Sequence, residues 1–205
     1  MQQRIFGMMK NIKTIIFDFD GTLADCKELH QDAFRNALHN VCPEAVYKDK
    51  EIEGRPTREK IRIMHTKGYH FCGDKLNDLK QAETQSQLEK YIHYDVELYD
   101  ILHSLSKNYL LCIASNATER FVNRSLEILK IKHLFQKINT ATDFPAKPDT
   151  TTFVDCMKFT HSNHMNTLIV EDSLVGIQCA IATGCQVLEV KNKTDTINKL
   201  KELNI

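Results

Sequence analysis

The sequence lacks a net charge and any long apolar segment. Lys and Arg total 27 and Asp and Glu total 27, so no excess charge would attract nucleic acid or an anionic membrane surface. No stretch approaches the roughly 18 apolar residues of a membrane span. The N-terminal segment does not read as a signal peptide, because its only long apolar run ends in Asp18 and Asp20. We therefore expect a cytoplasmic protein that binds neither nucleic acid nor membrane.

Paired cysteines and repeats are also absent. The seven cysteines are scattered and include no CxxC pair, so the sequence indicates neither a disulfide framework nor a zinc site. We expect them to be reduced thiols in the core. No internal repeat or low-complexity tract interrupts the chain. A length of 205 residues fits one domain, or one domain that carries a smaller insert.

Short apolar runs, each closed by a polar residue, predict the strands of a parallel sheet. They lie at 13–17, 109–115, 166–172 and 186–190, with a short fifth at 137–143. Apolar residues recur at helical spacing in 118–130 and in 173–183. The second of these helices has Asp172 or Ser173 as N-cap and ends at Gly184. Alternating strands and helices predict an α/β fold with a Rossmann-like parallel sheet.

The segment between the first and second strands breaks this alternation. It contains amphipathic or strongly helical stretches at 29–41, 57–68 and 74–107, the last with a break near 94–96. No convincing strand occurs there, and the segment is far longer than a usual connecting loop. We therefore expect a core domain formed by 1–24 and 108–205, and an α-helical insert formed by 25–107.

Three of the predicted strands end in polar or acidic side chains. Ligands of open α/β sheets bind at the carboxyl ends of the strands, so these side chains are the candidates for a site. They are Asp18 with Asp20, Ser115 with Asn116, and Glu171 with Asp172. Positions i and i+2 of a strand face the same way, so the first two aspartates can address one ligand.

A cluster of three or four carboxylates needs a cation, and hard carboxylate oxygens suit Mg²⁺. Such a cluster binds phosphate only with the help of the metal, a lysine and neutral donors. Lys147, Ser115 and the backbone around Gly21 and Asn116 are of the right types. An aspartate of ordinary pKa, near 3.9, is already ionised at pH 7 and can attack phosphorus without a base. A second aspartate can protonate the leaving alcohol and then deprotonate the attacking water.

Four segments in this order resemble the motifs of the haloacid dehalogenase superfamily, in its branch with an α-helical cap. They are "DFDGTLAD", "ASNA", "AKPD" and "VEDSLVGIQCAIATG", and the resemblance extends from about residue 12 to 190. It implies that Asp18 is the nucleophile and forms an aspartyl-phosphate. It further implies that Asp20 is the general acid/base and gives its backbone carbonyl to Mg²⁺. Ser115 would hold the phosphoryl group, Lys147 would stabilise its charge, and Asp172 with Glu171 would anchor the metal.

The resemblance also implies the reaction class. An aspartate at position 20 is typical of the members that act on phosphate esters. We therefore expect a Mg²⁺-dependent phosphatase of a small phosphorylated metabolite, such as a sugar phosphate or phosphoglycolate. One alternative is a mutase similar to β-phosphoglucomutase, and another is a non-catalytic phosphate-binding protein on the same fold. In the cap, His30 and Arg58 are candidate substrate-binding residues; the alternative is that both are ordinary surface residues of cap helices.

Overall fold

A computed structural model describes residues 11–52 and 57–203 of the chain. The contacts within it divide the chain into two compact units. The first contains the described residues through Asp25 and those from Ile92 onward, and the second is Cys26–Tyr91. No helix among the described residues is long and apolar enough to cross a membrane. All seven cysteines are free and six of them are buried, in agreement with the predicted reduced thiols.

The first unit is built on a five-stranded sheet in which every pairing is parallel. The strands lie in the order β3-β2-β1-β4-β5, so that β1 is central. This arrangement confirms the predicted α/β fold. The strands are β1 (Thr14–Phe17), β2 (Leu110–Ala114), β3 (Phe135–Asn139), β4 (Thr167–Glu171) and β5 (Gln186–Glu189).

Helices connect the strands and form the second unit. Short 3-10 turns at Lys132–Leu134 and His164–Asn166 precede β3 and β4. The helices are α1 (Lys27–Val41), α2 (Asp49–Ile52), α3 (Thr57–Thr66), α4 (Gly73–Tyr91), α5 (Val96–Ser106), α6 (Glu119–Ile128), α7 (Thr151–Phe159), α8 (Leu174–Ala182) and α9 (Lys193–Glu202).

Apolar side chains bury both faces of the central strands. All four residues of β1 are buried, as are all five of β4, which explains why these strands lack an alternating polar pattern. One core cluster joins Ile16, Cys112 and Ile169 of the sheet to Phe153 of α7 and Ala180 of α8. This packing fixes the strand ends from which the candidate site residues project.

The second unit has a core of its own. Its α1 packs mainly against α4, and the buried cluster includes Phe34, Leu38, Met64 and Leu76. The spacing of apolar residues on α1 therefore corresponds to one buried helix face, the pattern from which the helix was predicted.

Two boundaries differ from the sequence predictions. The third strand in the chain ends at Asn139 and not at 143, because Asp143 and Phe144 donate their backbone N–H groups to Thr140 O and form a turn. The helical insert was expected to end at 107, whereas α5 groups with the sheet-containing unit. Its contacts with β2 and α9 account for that grouping. The predicted break in the long helical stretch is confirmed, since α4 ends at Tyr91 and α5 begins at Val96.

Candidate functional site

The site lies at the carboxyl edge of the sheet, where β1 and β4 run side by side. Phe17 pairs with Val170, and the Asp18 N–H donates to Val170 O at 2.9 Å. Asp18 therefore leaves the central strand level with Glu171, the last residue of its neighbour. The pairing of two buried strands, and not a flexible loop, sets this juxtaposition of carboxylates.

Lys147 joins these two carboxylates. Its Nζ donates to Asp18 Oδ1 at 2.6 Å and to Glu171 Oε1 at 2.6 Å. Only 2% of the lysine side chain is exposed, and its Nζ also lies 5.0 Å from the ring centroid of Phe153. A buried ammonium shared between two buried carboxylates is the electrostatic centre of the site.

The ionisation of these groups reflects burial and an excess of negative charge. Burial, and then the neighbouring charges of Glu171 and Asp172, raise the pKa of Asp18, although Lys147 opposes the shift. Burial alone would lower the pKa of Lys147, but Asp18 and Glu171 outweigh it and raise that pKa. Burial, Glu171 and Asp20 raise the pKa of Asp172 to about 6. The pKa of Asp18 is therefore above the ordinary value that was assumed from the sequence.

A tight loop from Phe19 to Ala24 places Asp20 and Gly21. The N–H groups of Thr22, Leu23 and Ala24 all donate to Phe19 O, at 2.9–3.3 Å. Gly21 has φ +93°, and a Cβ built on it would lie 2.1 Å from Asp172 Oδ2. Both observations require glycine at this position, where the backbone turns and passes close to a carboxylate.

Ser173, the N-cap of α8, and Gly176 within that helix enclose Glu171. Their contacts with this carboxylate were not predicted. Ser173 donates to Glu171 Oε2 from its N–H at 2.9 Å and from its Oγ at 3.1 Å. A Cβ on Gly176 would lie 1.8 Å from Glu171 Oε1, so only glycine leaves room for the carboxylate. A glycine inside an apolar helix was the signal for this close approach. Of the two predicted N-caps, Ser173 is the one observed, and its Oγ accepts from Gly176 N–H.

The turn after β2 contributes Ser115 and Asn116. Ser115 is buried, its N–H donates to Asn139 O at 3.0 Å, and its Oγ accepts from Ala117 N–H at 3.1 Å. Asn116 accepts the Lys147 backbone N–H on its Oδ1 at 2.8 Å. The side chain of Asn116 is thus engaged with the segment that carries the lysine. The sequence prediction concerned the backbone around Asn116, as a donor to phosphate.

Three carboxylates are arranged so that they can hold a metal ion. Asp18, Glu171 and Asp172 each offer an oxygen, and these atoms all lie within 4.8 Å of one another. Burial, and then repulsion from neighbouring carboxylates, raises the pKa of Asp18 and of Asp172, and a divalent cation bound between them would oppose both shifts. Oxygen donors of this kind fit Mg²⁺. The carboxylate of Asp20 is not one of these three.

The two predicted substrate-binding residues of the cap belong to the second unit. His30 lies half-buried on α1, and its Nδ1 is 3.2 Å from Nζ of the buried Lys80. Arg58 is exposed on the first turn of α3. Residues 53–56, the start of the stretch from which Arg58 was selected, lie outside the described residues.

The fold and the site together define a class: parallel-sheet α/β proteins with a lysine-bridged acidic centre at the carboxyl edge. The family model described as haloacid dehalogenase-like hydrolase matches residues 15–190 of the chain. This match spans both units and all the residues of the acidic centre. The chain therefore belongs to the haloacid dehalogenase-like hydrolase family of enzymes.

Relatives and solved structures agree with this assignment. The 6-phosphogluconate phosphatase of Escherichia coli is 25% identical over 186 residues, covering 87% of this chain and 82% of that protein. The fructose-1-phosphate phosphatase YqaB of Escherichia coli is 24% identical, covering 90% and 99%. The structure of CbbY from Rhodobacter sphaeroides in complex with phosphate is 17% identical, with a TM-score of 0.76 and coverage of 87% and 86%. The β-phosphoglucomutase of Clostridium difficile is 22% identical, with a TM-score of 0.72 and coverage of 95% and 89%.

Proposed function

We propose that the protein is a Mg²⁺-dependent phosphatase that hydrolyses a small phosphorylated metabolite through an aspartyl-phosphate on Asp18. The observation that carries the proposal is the Lys147 ammonium, held 2.6 Å from both Asp18 and Glu171 in a buried acidic site. Relatives named as sugar-phosphate phosphatases support both the reaction and a phosphorylated small molecule as substrate.

The proposed mechanism assigns each residue of the site a separate chemical role. A carboxylate oxygen of Asp18 attacks phosphorus, and the bond from phosphorus to the ester oxygen breaks. Asp20 gives its proton to the leaving oxygen and then takes one from the water that hydrolyses the aspartyl-phosphate and releases inorganic phosphate. Lys147 holds Asp18 and offsets the charge of the phosphoryl group. Asp18, Asp172 and Glu171 would hold Mg²⁺, with the backbone carbonyl of Asp20 as a further ligand.

The bound ion would neutralise the acidic site and allow a phosphate dianion to approach a carboxylate nucleophile. Ser115 is proposed to hold the phosphoryl group, with backbone donors near Gly21 and Asn116. His30 and Arg58 are proposed to contact the organic part of the substrate. A mutase of the β-phosphoglucomutase type would use the same acidic site, but the names of the relatives favour hydrolysis.

The test is hydrolysis of p-nitrophenyl phosphate and of a panel of sugar phosphates with and without Mg²⁺. We expect release of inorganic phosphate by the wild type and loss of at least about a thousandfold in Asp18→Asn, because the nucleophile is removed. Asp100→Asn, a change on the exposed surface of α5, is the matched control. Equal activity of Asp18→Asn and wild type would contradict the proposal. Conversion of glucose 1-phosphate to glucose 6-phosphate without phosphate release would favour the mutase.

A further inference from the structure

Hydrogen bonds to neighbouring turns and helices tie the segment that carries Lys147 to the fold. One of them runs from the Glu119 N–H to Thr142 Oγ1 at 3.0 Å. Lys147 lies in the connection between β3 and α7, outside any helix or strand. Early in the connection, the Ala141 N–H donates to Ala117 O at 3.1 Å. After the lysine, Cys179 of α8 lies with its Sγ 3.3 Å from Asp149 O. At Lys147 itself, the backbone N–H donates to Asn116 Oδ1 at 2.8 Å.

From this geometry we infer that Asn116 is a positioning residue. It holds the backbone of Lys147 where the lysine Nζ reaches both Asp18 and Glu171. The inference rests on the proposed function, because it assigns Asn116 a part in the same reaction. It adds a role for the side chain to the role predicted for the backbone around Asn116 as a donor to phosphate. The hydrogen bond spans 31 residues and ties the turn after β2 to the lysine segment.

The position of the Lys147 backbone matters because the side chain makes two short contacts at once. The ammonium is 2.6 Å from each carboxylate and its side chain is almost wholly buried, so a shift of the backbone cannot be absorbed by a free side chain. Misplacement of a catalytic group by about 1 Å costs on the order of a hundredfold in rate. A lysine displaced from Asp18 would also leave that carboxylate without its buried partner.

Two substitutions separate a positioning role from substrate contact. Asn116→Asp keeps an oxygen that can accept the Lys147 N–H, whereas Asn116→Ala removes it. Asn116 is exposed, so the added charge of the aspartate is largely screened by solvent. If the Asn116 side chain instead donated to a substrate phosphate from Nδ2, the aspartate would repel that phosphate and be worse than alanine.

The experiment compares kcat and KM of these variants for the best substrate of the phosphatase panel. We expect Asn116→Ala to lower kcat by about 10- to 100-fold with KM within about threefold, since the defect lies in a catalytic group and not in binding. Asn116→Asp should remain within about fivefold of wild-type kcat. Asn108→Asp and Asn108→Ala, at an exposed asparagine before β2, are the matched controls and should behave as wild type.

A second measurement needs no turnover. Hydrogen exchange of the Lys147 backbone amide should accelerate about tenfold or more in Asn116→Ala and stay near the wild-type rate in Asn116→Asp. The inference is overturned if alanine is the milder substitution, if both variants lose equal activity, or if the exchange rate is unchanged in Asn116→Ala. A wild-type chain without phosphatase activity would contradict the proposed function, and the exchange rates would still decide whether Asn116 holds the lysine segment.

Discussion

At the scale of single residues, Glu171 shows how closely the protein is built around its acidic site. This carboxylate is fully buried, accepts hydrogen bonds from Lys147 and Ser173, and lies against the bare backbone of Gly176. An α-helix normally favours alanine over glycine by about 1 kcal/mol. At Gly176 that preference is reversed by the space that the carboxylate occupies.

We expect Gly176→Ala to destabilise the protein by about 1–3 kcal/mol and to reduce activity at least tenfold, because the new methyl group displaces Glu171 from Lys147. Thermal unfolding and the phosphatase assay measure the two effects. Gly68→Ala is the control: it lies in the second unit with open space around it, so only its positive φ should cost stability. Wild-type activity in Gly176→Ala would show that Glu171 is not constrained by this contact.

The same residues show what the sequence could and could not predict at this scale. The spacing of Asp18, Asp20, Glu171 and Asp172 at strand ends indicated an acidic centre, because parallel strands bring their carboxyl ends to one edge. The raised pKa of Asp18 could not be predicted, since it depends on burial and on charges from a strand more than 150 residues away. The contact of Asn116 with Lys147 likewise depends on loop geometry that has no periodic signal.

At the scale of elements, α5 shows why a helix was easier to predict than the surface against which it packs. Its apolar spacing predicts one buried face, and Leu98, Leu102 and Leu105 are buried. Nothing in that spacing says which surface covers the face. The helix was therefore assigned to the insert, whereas its contacts are with β2 and α9. The strand boundaries of β1, β2, β4 and β5 were predicted well, because their apolar runs are closed by polar residues.

Asp95 fixes the start of α5. Its Oδ1 accepts from the N–H groups of Glu97 and Leu98, both at 3.1 Å, and its Oδ2 accepts from Lys193 Nζ of α9 at 2.6 Å. Burial alone would raise the pKa of Asp95, but Lys193 and the two backbone donors outweigh it and lower that pKa. The carboxylate thus caps one helix and ties it to another.

We expect Asp95→Ala to lower the free energy of unfolding by about 1–2 kcal/mol at pH 7, because the helix loses its cap. Asp95→Asn keeps an acceptor for the cap, so it should cost less. The pKa of Asp95 is lower in the folded chain than in the unfolded chain. The ionised carboxylate therefore contributes fully to the free energy of unfolding above the unfolded value of 3.8. This contribution is lost as the pH falls through the folded pKa.

Urea unfolding measured at pH 7 and near pH 3 tests this prediction. The difference between wild type and Asp95→Ala should be smaller at the lower pH, because pH 3 lies below 3.8 and the unfolded chain there binds a proton more readily than the folded chain. A difference that is equal at both pH values would mean that the ionised carboxylate does not stabilise α5. Asp100→Asn, on the exposed face of the same helix, should be close to wild type at both pH values.

At the scale of the whole molecule, a net charge of zero conceals a concentrated negative site. Asp18, Glu171 and Asp172 are clustered, with Lys147 in contact with the first two. Burial and mutual repulsion disfavour the ionised forms of Asp18 and Asp172. In the unfolded chain the same carboxylates are hydrated and are not held together, so only the folded chain bears this unfavourable interaction. A divalent cation that binds only the folded chain should therefore stabilise the protein as well as serve its reaction.

We expect Mg²⁺ to raise the melting temperature, with a gain of about 2.7 kcal/mol at a concentration one hundredfold above its Kd. Asp172→Asn should largely abolish that gain, because it removes one of the three clustered oxygens. Without added Mg²⁺ the variant should be at least as stable as wild type, since its neutral amide avoids the burial of a charge and the repulsion from Glu171 and Asp20. The measurement is thermal unfolding in MgCl₂ against NaCl at matched ionic strength, with Asp143→Asn, an exposed loop carboxylate, as control. An equal rise in wild type and Asp172→Asn would place the stabilising ion elsewhere on the molecule.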